Sequence, residues 1–286
     1  QNMRAVLVWL CVCVCFARAD LFDGVWRTYN RALEGKAPAL PLNVAEATAA
    51  GWVLGSHDCV TNLGYEYFYQ QPEPRKRSPL SLWFTAGGQN ISGISIYVFG
   101  ENSAPASLVS SGYWRQATKF NRTDMYFLSV GFRNGPVCDP TQAPPTLVGD
   151  YVIVNPDTAL SLSLPLDEKG AFCGGWVQGS AMKCDGVHYF YHTDHHDMWN
   201  ISKLNPVAVM YWKGQLTTFM VITPMAQPGS IPPDDGDWDQ PPLTPSLMCK
   251  NRCDDSCTWK NMWSTIHIFL TSDCATIRPS TTEEGP

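Results

Sequence analysis

A chain of 286 residues with 26 acidic and 20 basic side chains has a formal charge of −6 at pH 7, so it offers no net attraction to a polyanion. Its 44% apolar content is enough for a sizeable core, yet no stretch reaches the roughly 18 uninterrupted apolar residues of a membrane-spanning helix. Neither nucleic-acid binding nor a membrane span is expected.

The N-terminal residues show the three parts of an export signal: Met3-Arg4 as a short positive start, the apolar run 5–16, and Ala17-Arg18-Ala19 as a small-x-small cleavage pattern. Residues 1–19 are therefore assigned as a signal peptide, and the remainder as a secreted, extracellular protein. Arg4 and Arg18 leave with the signal, so 18 basic side chains face 26 acidic ones, a formal −8. Of eleven cysteines, Cys11, Cys13 and Cys15 fall in the signal. The other eight, an even number in an oxidising compartment, argue for disulfides. Sequons at Asn90, Asn121 and Asn200 fit glycosylation in the same compartment.

After the signal, VWRTYNRALEG (25–35) is the best helical candidate, and NVAEATAAG (43–51) suits a turn or two of helix. The sequence then repeats itself. LPLNVAEATAAGWVLGS (40–56) matches LPLDEKGAFCGGWVQGS (164–180) at nine of seventeen positions, without a gap. The match continues from Cys59–Tyr69 to Cys184–Tyr191, which share a Cys, a Gly and Tyr-Phe-Tyr, and from Pro79–Phe84 to Pro206–Trp212. It ends with a late strand before Cys138 in one copy and before Cys274 in the other. The chain reads as an internal duplication, 20–140 and 141–276, followed by a disordered Ser/Thr/Pro/acidic tail at 277–286.

Runs of β-branched and aromatic residues alternate with Gly, Pro, Asn and Asp clusters in both copies. The clearest are 93–100, 151–154, 206–212, 217–223 and 265–270. Their short, even spacing predicts a mainly β fold, with two homologous antiparallel β-sandwich or small β-barrel domains and few short helices. The duplication pairs Cys59 with Cys138 and Cys184 with Cys274, each tying an early strand of a copy to its last. Cys173, Cys249, Cys253 and Cys257 are left to bridge within the second copy. Closing a loop near 80 residues stabilises on the order of 4 kcal/mol in the chain-entropy picture.

At Gly186-x-His188-Tyr189 and the late Ile266-His267-Ile268-Phe269 strand, the second copy resembles a poorly characterised group of secreted β-rich domains of unknown function found in bacteria and invertebrates. The resemblance implies a barrel-like or sandwich domain and brings no catalytic mechanism. In the first copy Glu66 stands where His188 would be, and the late strand carries no histidine.

Four of the six histidines crowd into nine positions: His188, His192, His195 and His196. With Asp194 or Asp197, the last three offer imidazole and carboxylate donors that zinc or copper(II) accept. They stand in a sequon-bearing loop peculiar to the second copy, and solvated decoration is the simpler reading. His188 and His267 lie in predicted strands and could converge as zinc or copper ligands; the plainer alternative is a buried, hydrogen-bonded histidine in each strand. The four aspartates of PPDDGDWDQPP (232–242) lack a complete EF-hand pattern. Trp52 and Trp176 occupy matching places and are assigned to the core, whereas Trp238, Trp259 and Trp263 could line a binding surface.

No Gly-x-Ser-x-Gly elbow, Walker loop or dinucleotide fingerprint occurs. Core-type residues are duplicated while no reactive set is. The favoured function is a non-enzymatic, disulfide-stabilised secreted glycoprotein without a resident cofactor, binding an extracellular ligand or protein or acting structurally. A zinc- or copper-binding protein or enzyme centred on His188 and His267 is the second reading. A small-ligand carrier with an aromatic-lined cavity is the third.

Overall fold

The repeated Leu-Pro-Leu-Asx stretch starts a short helix in each copy because its last residue caps one. The computed structural model describes residues 26–27, 39–56, 58–69, 79–99, 112–117, 125–133, 135–141, 151–182, 185–191, 205–223 and 264–271. Asn43 caps helix α1 (Val44–Ala49) and Asp167 caps helix α2 (Glu168–Cys173). Each side-chain oxygen accepts the backbone N–H three residues on, from Glu46 at 2.9 Å and from Gly170 at 2.7 Å. Just past the helices, Gly51 and Gly175 take left-handed φ angles of 87° and 83°. The one identity inside the helices falls on Ala47 and Ala171, both fully buried, where a methyl group lets the helix approach the sheet closely.

The other regular elements among the described residues are antiparallel strands. Trp26–Arg27 form β1, so the helix expected from residue 25 is instead extended where it is described; no periodicity can announce a strand of two residues. The first copy continues with β2 (Trp52–Leu54), β3 (Tyr65–Tyr69), β4 (Leu80–Phe84), β5 (Ile91–Phe99), β6 (Arg115–Gln116) and β7 (Met125–Gly131). The second runs through β8 (Val152–Val154), β9 (Leu162–Leu164), β10 (Trp176–Met182), β11 (Gly186–Tyr191), β12 (Val207–Trp212), β13 (Gln215–Thr223) and β14 (Ser264–Phe269). Eight strands form one sheet in the order β2-β3-β4-β5-β7-β8-β9, with β6 also beside β7, and six form the other in the order β1-β14-β13-β12-β11-β10. Among the described residues the fold is mainly β, with two antiparallel sheets and two short helices, in the class the alternating runs predict.

Strand register superposes the copies residue by residue. Glu66 faces Trp83 across β3 and β4, as His188 faces Met210 across β11 and β12. Both sheets shift register at the next step, after Trp83 and after Met210. Edge-on ring pairs recur at Tyr67–Phe84 and Tyr189–Tyr211, 5.3 and 5.4 Å apart, as do tilted pairs at Trp52–Tyr69 and Trp176–Tyr191. Gly64 and Gly186 each hold positive φ where a Cβ would stand 2.1 or 2.3 Å from the carbonyl oxygen of Phe84 or Tyr211. Only glycine allows that close approach.

The sheets also exchange strands. β8 and β9, the opening strands of the second copy, extend the first sheet beyond β7, while β1, from the start of the first copy, pairs with β14 at the far end of the second. The sheets therefore do not divide at residue 140. One contiguous apolar cluster draws on one face of each sheet, including Leu82, Phe84, Ile94 and Val130 from the first and Val209, Tyr211, Phe219 and Ile266 from the second. Trp52 and Trp176 are buried in it, as their symmetry predicts. Cys59 and Cys138 are joined, 79 residues apart, as the duplication predicts. Cys173 is also disulfide-bonded. Cys184, Cys249, Cys253, Cys257 and Cys274 lie outside the described residues.

Candidate metal centre on the second sheet

Strand alternation sends Tyr189 into the shared apolar cluster and turns its neighbours His188 and Phe190 to the opposite face. On β14, Ile266 and Ile268 belong to that cluster, so His267 shares the opposite face. Both histidines are buried, His188 at 4% and His267 at 1% exposure. Asp185, buried in the turn that leads into β11, completes a group of three. One donor atom from each lies within 4.8 Å of the other two.

This convergence needs a curled sheet. β12 and β13 run between β11 and β14, and three steps of about 4.8 Å would hold flat strands some 14 Å apart. The sheet must bend toward the histidine face, in the sense of a closing barrel. Its irregularities supply sites for the bend: the ladder shifts between Gln178 and Ala181 on β10 and between Met210 and Tyr211 on β12.

The first of these bulges also orients a ligand. Ser180 lies within it, and its carbonyl oxygen is 3.0 Å from His188 Nδ1. A carbonyl can only accept, so Nδ1 carries the proton in this pair. Metal-binding histidines are held in their tautomer by this arrangement. Phe190 and Phe269 stack on the histidine two residues before them, with ring centroids 6.4 Å apart in both cases. Gly186 lets the chain beside Asp185 pass against the Tyr211 carbonyl.

The floor between the histidines is made by β12 and β13. Met210 is the cross-strand partner of His188, and Met220 that of His267; both methionines are buried. On the same face, the buried hydroxyls of Thr218 and Thr265 have no hydrogen-bond partner among the described residues. Two imidazoles and a carboxylate form a donor set that zinc, copper or another divalent transition metal accepts.

The matching face of the first sheet is built differently. Glu66 Oε1 accepts hydrogen bonds from Ser81 Oγ at 2.6 Å and from the Tyr97 hydroxyl at 2.7 Å. Trp83 Nε1 donates to Ser95 Oγ, which is 2.9 Å from Ser129 Oγ. Arg115 donates to Ser129 Oγ at 3.0 Å, pairs with Asp157 at 2.6 Å, and lies 4.5 Å from the centre of the Phe127 ring. Burial, and then the carboxylate of Glu66, raise the pKa of Tyr97 well above the usual tyrosine value, so its phenol stays a neutral donor. By register Ser129 stands where His267 does, and Leu63 stands where Asp185 does.

His188 and His267, singled out from the sequence, are thus brought together. Asp185 was not singled out: as a turn residue without an acidic counterpart in the first copy, it carries no repeat signal. His192, His195 and His196 lie outside the described residues, as do Trp238, Trp259, Trp263 and the sequons at Asn121 and Asn200. Asn90 stands half-buried in the tight connection between β4 and β5. No protein-family model matches this chain, and comparison with curated proteins and with solved structures finds no match.

Proposed function

We propose that this is a secreted, disulfide-stabilised metal-binding glycoprotein in which Asp185, His188 and His267 hold one divalent transition metal ion of the zinc or copper class. The convergence of three buried donors from a turn and two non-adjacent strands carries this reading. It favours the metal reading over a purely structural or small-ligand role, because a plain buried histidine needs only one hydrogen-bond partner and no converging carboxylate. The signal-like residues 1–19, the sequons and the Cys59–Cys138 bridge support an extracellular setting, where zinc and copper are met without competition from cytosolic thiols.

Metal analysis of the full chain, purified without chelators or affinity metals, tests this. About one zinc or copper per chain is expected, and its loss in both His188→Ala and His267→Ala. Metal retained in those variants and lost only when His192, His195 and His196 are replaced together would move the site to the loop and overturn the assignment.

A further inference from the structure

We infer that the site is built for copper, and for the cuprous ion in particular, with Met210 and Met220 adding thioether sulfur to the two imidazoles. This rests on the metal reading above and deepens it by naming the ion.

The argument is one of register. His188 and Met210 are direct partners on β11 and β12, and His267 and Met220 are direct partners on β14 and β13. Directly opposed residues share a face, with Cβ atoms about 4.5–5.5 Å apart. The two histidines approach each other across these same two strands, so by register the methionines stand between them on that face. Neither is spent on the shared apolar core: that cluster takes Val209 and Tyr211 from β12 and Phe219 and Val221 from β13, the residues flanking them in sequence. Both methionines are nevertheless buried, at 0% and 3% exposure.

Comparison with the first copy shows that the face does not demand methionine. There the same positions hold Trp83 and Ser95, joined to each other by a hydrogen bond. Thioether sulfur is a soft donor that selects copper(I), whereas zinc sites are made of imidazole, carboxylate and thiolate. A His₂Met₂ floor with Asp185 at its edge therefore discriminates between two ions that a His₂Asp site alone would not separate well.

The test is a competition titration of the intact protein with copper(I), held reduced under anaerobic ascorbate against a chromogenic copper(I) chelator, beside a zinc titration. Wild type is expected to bind one copper(I). Met210→Leu/Met220→Leu is expected to lower its copper(I) affinity roughly 10–100-fold, the scale on which groups supporting a metal site act. Zinc affinity should stay within about 3-fold, since zinc does not draw on thioether sulfur. Leucine is close to methionine in volume and cores tolerate the exchange; X-ray absorption of copper(I)-loaded wild type, which should show sulfur scatterers, decides the matter without any variant. Equal copper(I) affinity in the double variant, or no sulfur around copper in wild type, would overturn the copper assignment while zinc binding lost in His188→Ala left the metal site standing. Wild type taking up neither ion would remove both.

Discussion

Glu66 and His188 hold the same place in their sheets, opposite Trp83 and Met210, yet they meet different surroundings. Glu66 accepts two hydroxyl hydrogen bonds, from Ser81 and Tyr97, beside a second set that joins Trp83, Ser95, Ser129 and Arg115. His188 bonds a backbone carbonyl through Nδ1 and has a ring nitrogen within 4.8 Å of donor atoms of His267 and Asp185. The framework beneath is shared: the same glycine against a carbonyl, the same ring pairs, the same bulge. Where the two frameworks correspond, the difference lies on the polar face. In the first sheet the buried polar groups satisfy one another through hydroxyls and a guanidinium, whereas the second brings two histidines and an aspartate to one point. This division into a shared framework and a divergent face can be broken experimentally at either level.

The largest effect should come from the framework, and equally in both copies. Gly64→Ala and Gly186→Ala each place a methyl group 2.1–2.3 Å from a backbone oxygen at a φ of 105° or 93°. Each should destabilise by about 3 kcal/mol or more in urea unfolding. If only one did, the copies would not share this construction.

Next comes the metal, which should act on one copy only. Ion held at a hundred times its dissociation constant stabilises by about 2.7 kcal/mol. Thermal unfolding with and without zinc should show this shift in wild type and in Glu66→Gln, and not in His267→Ala. Because imidazole must be neutral to bind, the shift should fade as pH falls below the ordinary histidine range near 6.5. A shift that persisted to pH 4 would point to carboxylate ligands instead.

The two levels also explain what could be read from the sequence. The nine identities between 40–56 and 164–180 fall on residues whose roles are local: the proline before the cap, the buried alanine, the glycine past the helix, the core tryptophan. Local roles leave the same letters in both stretches, so the β class and the Cys59–Cys138 bridge were legible. The site was legible only at His188 and His267, whose residue type is conspicuous in a strand. Asp185 resembles any turn aspartate, and Met210 and Met220 resemble core filling, because their meaning depends on register between strands. The exchange of β1 and β8 was hidden for the same reason: Trp26 pairs with Phe269, far along the chain, and two residues carry no pattern.

A smaller loss is expected from Glu66→Gln in the first copy, about 1.5 kcal/mol, as hydrogen bonds to a charged acceptor become neutral ones. Metal content should not change. A variant that lost metal along with stability would couple the two faces and break the separation drawn between them.

The smallest effect also locates the proton that closes the first copy's network. Tyr97 donates to Glu66, and its pKa is raised by burial first and by that carboxylate second. Tyr97→Phe should therefore cost about 1 kcal/mol at neutral pH, where the phenol is protonated in folded and unfolded chains alike. Above pH 10 the unfolded chain releases this proton while the folded one retains it, so the folded state binds more protons and loses stability as pH rises. The slope is about 1.4 kcal/mol per pH unit for one group. Phenylalanine has no such proton, so the advantage of wild type over Tyr97→Phe should shrink between pH 10 and 11 and then reverse. Tyr211 makes the control from the second copy: it is raised by burial and by Asp167, but it faces the shared core and donates to the Pro165 carbonyl. Tyr211→Phe should show the same alkaline crossover whether or not Glu66 has been replaced. The sloping window removed by Tyr97→Phe, in contrast, should end at a lower pH once Glu66→Gln has taken away the charge, because the folded pKa then falls back toward the value that burial alone sets. Equal behaviour of the two tyrosines in the Glu66→Gln background would mean that burial alone holds the Tyr97 proton, and that the carboxylate is not the partner setting it apart.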